Sequence, residues 1–294
     1  MKGLTFYIVD VFAEEKFAGN QLAVVRNAKG LSDDEMLKIA KEMNYSETSF
    51  ILSDESNNGG FDVRIFTPEE EVPFAGHPTL GTAYIIKHEI IKKDVDKVIL
   101  NLKVGQIPVT FTNKDKAQIL WMKQIQPTFG ATIDKEQMVQ VLNLDINDID
   151  ARFNIQEVST GLPFIIVPLK SLESVKKAKV HSEKFFELIE NIDAKAILVF
   201  CTETYNSQND LNARVFVDYY AIPEDPATGS ANGCLAGYLV KYQYLNSNHI
   251  NIRVEQGYEI GRPSLLLLQA SEDKGSFNIS VGGGVIMVAK GELI

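Results

Sequence analysis

The sequence predicts an α+β protein built as two similar halves, and three observations carry that expectation. The 294-residue chain is longer than one small core usually takes, so two domains are expected. A stretch near the middle of the first half, PFAGHPTLGTAYII (Pro73 to Ile86), returns in altered form in AIPEDPATGSANGCLAGYL (Ala221 to Leu239). With Pro73 laid over Pro226, Gly76 falls on Gly229, His77 on Ser230 and Ala83 on Ala236. Upstream, VRIF (Val63 to Phe66) matches ARVF (Ala213 to Phe216) at an offset of 150, which grows to 153 at the Pro-x-x-Gly step. Matched spacing through several consecutive elements is the mark of an internal repeat. It implies two domains related by a pseudo-two-fold axis, residues 1–125 and 126–279, with the crossover near Pro127 and a tail strand, 280–294, returning to the first.

The elements follow in order. Leu4 to Phe12 is apolar, β-branched and aromatic, as a strand requires, and a Gly19-Asn20 turn leads to a second strand at Gln21 to Val25. Ser32, with Glu35 three residues on and Met36, Ile39, Ala40 and Met43 on one face, predicts a capped amphipathic helix. NYSETSFIL turns into a strand from Thr48 to Leu52, and Phe61 to Thr67 is another. After the acidic turn TPEEEVP a helix runs from the Gly-His step to about His88, followed by a hairpin of Val98–Leu102 and Ile107–Thr112. The second half repeats this order: strands Val158–Thr160 and Pro163–Val167 around Gly161, a helix from Ser182, strands Ala196–Cys201 and Ala213–Asp218, then the Gly-Ser helix. The tail, 277–289, alternates as one or two further strands.

Composition narrows the function. Hydrophobic residues make up 45% and charged residues 23%, proportions of a globular domain, and the net charge of −10 comes with no basic stripe, which argues against a nucleic-acid partner. No apolar run reaches the length of a membrane span, and MKGLTFYIVDVF lacks the form of a signal peptide, so no membrane partner is expected and a reduced cytoplasm is the simplest compartment. Two cysteines, Cys201 and Cys234, are too few for a disulfide framework and suit no metal site; both read as small buried hydrophobes.

Two helices that begin at Gly-x steps present unpaired N–H groups and a partial positive charge, and a cleft lined by both would hold a carboxylate. Gly76 and Gly229 allow close backbone approach, Pro78 suits the first helical position, and Ser230 can cap its helix. The positions where the repeat fails are the informative ones. Glu47 has no carboxylate counterpart near residue 197, Asp225 falls on Val72, and His77 falls on Ser230. A Glu and a His from one half with an Asp and a Ser from the other suit acid–base chemistry on a small polar molecule. Plainer roles stand beside these: Glu47 as a solvated turn residue, His77 as a helix-end histidine, Asp225 as a turn-former before Pro226, Ser230 as a cap alone. His88, His181 and His249 read as surface residues.

DVFAEEKFAGNQLAVV, NYSETSFI, FTPEEEVPFAGHPTLGTA, STGLPF, EDPATGSANGCLAGYL and EQGYEIGRPSLL together resemble the PhzF-like (phenazine-biosynthesis) family, over nearly the whole chain. The resemblance implies the diaminopimelate epimerase fold, two similar domains each wrapping a β-sheet on a central helix. It also implies a cofactor-free isomerase, usually a homodimer, whose best-understood member isomerises trans-2,3-dihydro-3-hydroxyanthranilate. It assigns Glu47 as acid/base, with His77 and Asp225 as catalytic partners, and Gly76, Gly229 and Ser230 as substrate-binding residues. Epimerase relatives carry a cysteine before each Gly step, where this chain has Ala75 and Thr228, and this argues against two-thiol racemisation. An amino-acid racemase, epimerase or dehydratase in the same cleft, and a non-catalytic carboxylate-binding protein, stand as the alternatives.

Overall fold

The computed structural model describes residues 3–114, 117–220 and 222–294; Ala221, the first residue of the repeated stretch, lies outside the described residues. In chain order the elements are β1 (Leu4–Val11), β2 (Asn20–Arg26), α1 (Asp33–Met43), β3 (Thr48–Ile51), β4 (Phe61–Phe66), β5 (Glu71–Val72), α2 (Gly76–Ile85), β6 (Lys97–Leu102), β7 (Gly105–Lys114) and β8 (Ala117–Lys123). They continue as β9 (Thr128–Ile133), α3 (Lys135–Leu142), β10 (Ile155–Ser159), β11 (Pro163–Pro168), α4 (Leu172–Lys177), α5 (Ser182–Ile189), β12 (Ile197–Cys201) and β13 (Leu211–Val217). The last are β14 (Ile222–Asp225), α6 (Gly229–Lys241), β15 (His249–Gln256), β16 (Ser264–Asp273), β17 (Ser276–Gly283) and β18 (Val285–Leu293). The chain divides into two compact units, residues 1–122 with 282–294, and residues 123–281.

The repeat read in the sequence is a repeat of strand pairing. In the first unit β18–β1 and β1–β2 are antiparallel, β2–β3 parallel, β3–β4 antiparallel, β4–β6 parallel and β6–β7 antiparallel. In the second, β9–β10 and β10–β11 are antiparallel, β11–β12 parallel, β12–β13 antiparallel, β13–β15 parallel and β15–β16 antiparallel. The registers correspond to within one residue: Thr48 faces Phe66 as Ile197 faces Phe216, at offsets of 149 and 150, and Ile65 faces Val72 as Val215 faces Asp225, at offsets of 150 and 153. The three-residue growth of the offset is therefore located between β13 and β14, where the pairing carries an irregularity.

Each sheet curls around one helix. α2 packs against β1, β2, β3, β6 and β7, and α6 against β10, β11, β15 and β16. A helix buried on all sides has no polar face, and these two show none: residues 77–83 of α2 and 231–240 of α6 are all buried. Small residues let strands come close. A Cβ on Gly81 would stand 2.6 Å from a Leu22 methyl and 2.9 Å from a Val11 methyl. The outer helices are conventional. Ser32 and Glu35 form the expected capping box on α1, whose Met36 and Ala40 join Val25, Phe50 and Phe66 in one core.

Several features differ from the sequence expectation. The second half holds more structure than anticipated: β9, α3 and α4, and the long strands β15 and β16. Asp134 caps α3 by accepting from the Glu136 and Gln137 N–H groups, and Met138, Val141 and Leu142 enter a core with Phe185, Leu188 and Ile189 of α5. His181, expected at the surface, is half-buried as the residue preceding α5. Pro78 is the third residue of α2, not the first, a position where the missing N–H is equally harmless because the first four have no intrahelical partner.

Gly81→Val should lower the unfolding midpoint in urea, by about 2 kcal/mol or more, because its branched side chain must displace Leu22, Val11 and Val9 in a filled core. Gly30→Val, at a glycine with nothing near its Cβ position, serves as the control and should cost less.

Candidate active site

In the first unit the site begins with register. β3 runs parallel to β2 with Ala23 beside Thr48, so Glu47, just before β3, lies level with the start of β2. There the Gln21 backbone hydrogen bonds the His77 ring. His77, second residue of α2, is almost wholly buried, and its Nε2 stands 3.5 Å from Oε2 of Glu47, whose side chain keeps 19% exposure. The Glu47–His77 pair joined by the sequence argument is thus a pair in space.

Burial sets the protonation of this pair. Desolvation pushes the His77 pKa down to about 3; the Gln21 backbone contact works the other way, as a carbonyl accepting from a ring N–H does. A carboxylate 3.5 Å away favours the imidazolium, but burial outweighs it and the ring is neutral at pH 7. A neutral ring bonded to Gln21 through one nitrogen leaves the other as an acceptor facing Glu47. The two groups can therefore share one proton, and a carboxyl can release it and recover it against that lone pair.

In the second unit the site is the turn Asp225–Ser230 that opens α6. Asp225 ends β14, and Thr228 Oγ1 donates to its Oδ2 at 2.5 Å. Beneath the turn lie two fully buried amides, Gln256 and Asn232. Gln256 Nε2 donates to the Asp225 carbonyl (2.8 Å) and to Thr228 Oγ1 (3.1 Å). Gln256 Oε1 accepts from the Thr228 N–H (3.3 Å) and from Asn232 Nδ2 (2.9 Å). Gly257 follows at φ 78, and a Cβ there would stand 2.6 Å from the Pro226 carbonyl oxygen, so only glycine lets the strand end approach the turn.

Both inner helices start without a side-chain cap. Ala75 has nothing to offer, and Thr228, the residue before α6, spends its hydroxyl on Asp225 and Gln256. Ser230 is the second residue of α6, so the expected capping role is not its role. By contrast α1, α3 and α4 are capped by Ser32, Asp134 and Ser171. An uncapped start with a partial positive charge is suited to an anion such as a substrate carboxylate.

The hairpins leading to these starts are clamped alike. Arg64 on β4 grips Glu71 on β5 at 2.9 and 2.6 Å, and Arg214 on β13 grips Glu224 on β14 at 3.1 and 2.8 Å. Each guanidinium also stacks over the phenylalanine two residues on, Phe66 or Phe216. Sequence reasoning passed over these arginines although VRIF and ARVF align them, and passed over Gln256 within EQGYEIG. Among the described residues no cluster of His, Cys, Asp and Glu gathers as metal ligands. Cys234 is buried and sits against Thr160 and the Leu162 carbonyl, and Cys201 is buried as well.

Two outcomes follow. His77 takes up its proton in the unfolded chain near pH 6.5 but resists it when folded, so it weakens the native state as pH falls from about 6.5 toward 3. His77→Asn should flatten the acid side of the stability–pH curve by up to about 1.4 kcal/mol per pH unit in urea melts. Gln256→Met should cost about 2 kcal/mol or more in the same assay, since it strands the Asn232 amide and the Thr228 N–H.

Comparison with known proteins identifies the family and the fold. The profile of the PhzC-PhzF family, "Phenazine biosynthesis-like protein", matches residues 9–291. The trans-2,3-dihydro-3-hydroxyanthranilate isomerase of Pseudomonas aeruginosa is 32% identical over 90% of this chain and 90% of its own, and further relatives are named isomerases. The crystal structure of a Bacillus anthracis phenazine biosynthesis protein of the PhzF family superposes with a TM-score of 0.92 at 29% identity, covering all of both chains. A hydroxyproline epimerase from Agrobacterium vitis shares the fold at a TM-score of 0.65 and 9% identity, over 100% of this chain and 91% of its own.

Proposed function

The chain belongs to the phenazine biosynthesis-like protein family and is an isomerase; from that premise we propose that it moves a proton between carbons of a small cyclic amino or hydroxy carboxylic acid, without a cofactor. Trans-2,3-dihydro-3-hydroxyanthranilate, the compound named for its relatives, is the first candidate substrate. The observation that carries the proposal is the half-buried Glu47 carboxyl 3.5 Å from a buried, neutral His77. Glu47 takes a proton from one carbon and returns it to another; one carboxylate is enough because both carbons belong to one ring. His77 and Asp225 hold and polarise the amino or hydroxyl groups. Ser230 and the N–H groups of the Gly76 and Gly229 helix starts bind the carboxylate and the negative charge that develops as the proton leaves.

A racemase working with two thiols is disfavoured, because alanine and a hydrogen-bonded threonine precede the two helices. The resemblance extends the proposal to a homodimer in the cytoplasm. Among the described residues no helix is long and apolar enough to cross a membrane.

The test is deuterium uptake. Incubation with trans-2,3-dihydro-3-hydroxyanthranilate in deuterated water should place deuterium on a ring carbon of the product, read by proton NMR. Glu47→Gln should slow this by about a thousandfold, the scale of a removed general acid–base. Uptake at the parental rate in that variant would refute the role of Glu47.

A further inference from the structure

One segment departs from the repeat in a way the proposed chemistry does not use. The parallel registers place Ala23 beside Thr48 and Ile165 beside Ile197, which makes the β1–β2 connection the counterpart of the β10–β11 connection. Residues 160–162 suffice for that turn in the second unit, whereas residues 12–19 make it in the first. The longer loop carries two aromatic residues in left-handed backbone, Phe12 at φ 60 and Phe17 at φ 68. For a bulky side chain this conformation is a genuine outlier. Phe12 has a structural reason, since its ring is buried at 1% exposure. Phe17 has none: its ring is 70% exposed and contributes little to the core.

The loop is nonetheless built to hold Phe17 there. Its N–H donates to Oδ2 of Asp10 at 2.7 Å, and Asp10 is a carboxylate with only 2% exposure. Gly19, at φ 65, then turns the chain; a Cβ there would stand 2.3 Å from the Val11 carbonyl oxygen. The left-handed backbone is thus fixed by a buried carboxyl group while the ring it presents stays in solvent, an outlier that burial of the ring does not explain. The loop ends close in the chain to the proposed site. Four residues after Phe17 is Gln21, whose backbone bonds the His77 ring. Four residues span at most about 14 Å, so the loop can reach a molecule held at His77 and Glu47.

We propose that Phe17 is a specificity-determining residue, its ring lying against the apolar face of the substrate bound at Glu47 and His77. This rests on the function proposed above. It assigns selection for a ring-bearing carboxylate to the inserted loop, which the second unit lacks. The contact is made equally in the ground and transition states, so it serves binding and leaves proton transfer to Glu47.

The test uses the full chain and 3-hydroxyanthranilate as the probe, with acetate as a carboxylate that has no ring. Phe17→Gly relieves the left-handed strain, so its melting temperature should equal or exceed the parent's, by about 2 °C. The same variant should bind 3-hydroxyanthranilate about tenfold more weakly by titration calorimetry while acetate affinity stays unchanged. In the deuterium assay KM should rise by about the same factor with kcat within about twofold. Phe17→Leu should recover part of the affinity. Unchanged affinity for 3-hydroxyanthranilate in Phe17→Gly overturns the proposal, as does a lowered melting temperature, which would make the ring structural. A change of mass on size exclusion with affinity intact overturns it too, making Phe17 a contact with a second copy. Failure of the function itself reads differently: Glu47→Gln exchanges like the parent, whatever Phe17 variants do.

Discussion

A helix surrounded by its own sheet has one weak point, the first turn, whose N–H groups find no partner within the helix. α2 and α6 are in this position, each buried along nearly its whole length. In α1, α3 and α4 a serine or aspartate side chain meets the need, whereas α5, like the two inner helices, starts after a residue that makes no side-chain cap. At these two starts it is not met by a cap, and the surrounding structure is arranged to keep it so. Thr228 could cap α6, yet its hydroxyl is drawn away by Asp225 and Gln256. The Arg–Glu clamps tie the preceding hairpins in place in both units. Two inner helices that lack side-chain caps at equivalent positions are the feature on which the proposed carboxylate-binding role rests.

On this shared framework the side chains diverge. The first unit places a carboxyl against a buried imidazole; the second places a carboxylate, two hydroxyls and two amides around a turn. The backbone pairing is common to both, because the sheet must close around the helix in either case. The side chains near the helix starts are not fixed by that pairing and differ between the units. Phe17 belongs to the same pattern, an addition to a connection whose counterpart is a short turn.

Much of this was legible in the sequence. Composition and period gave the strands, and the alignment of Pro73 with Pro226 survives as the register Ile65–Val72 against Val215–Asp225. The capping box at Ser32 was readable because its signal is local. The approach of Glu47 to His77 was suggested by asymmetry and by resemblance, but no pattern in the chain states the parallel register that produces it. Gln256 was invisible for a similar reason: a buried amide is recognised by its partners Asp225, Thr228 and Asn232, which lie far away in sequence. The cap assigned to Ser230 was wrong by two positions, since the helix begins before the serine and Thr228 holds the boundary. The strands β15 and β16 lie outside the matched motifs and went unread, although both alternate or run apolar as strands do.

The loss of thiols at the helix starts bears on which group moves the proton. Ala75 carries no ionisable atom, and the Thr228 hydroxyl is a poor base already bound on both sides. His77, with its pKa near 3, is too weak a base to take a proton from carbon. The Asp225 carboxylate accepts the Thr228 hydroxyl at 2.5 Å and is bound to its turn. Glu47 is the group in a different situation: partly open to solvent, next to an imidazole lone pair that can hold its proton by hydrogen bond without removing it. A base needs access to the substrate in its charged form and stabilisation in its protonated form. The neutral histidine supplies the second, and the 19% exposure of Glu47 supplies the first. In the proposed chemistry deep burial of His77 has a part, because a charged imidazolium at that distance would hold Glu47 ionised and make it a weaker base.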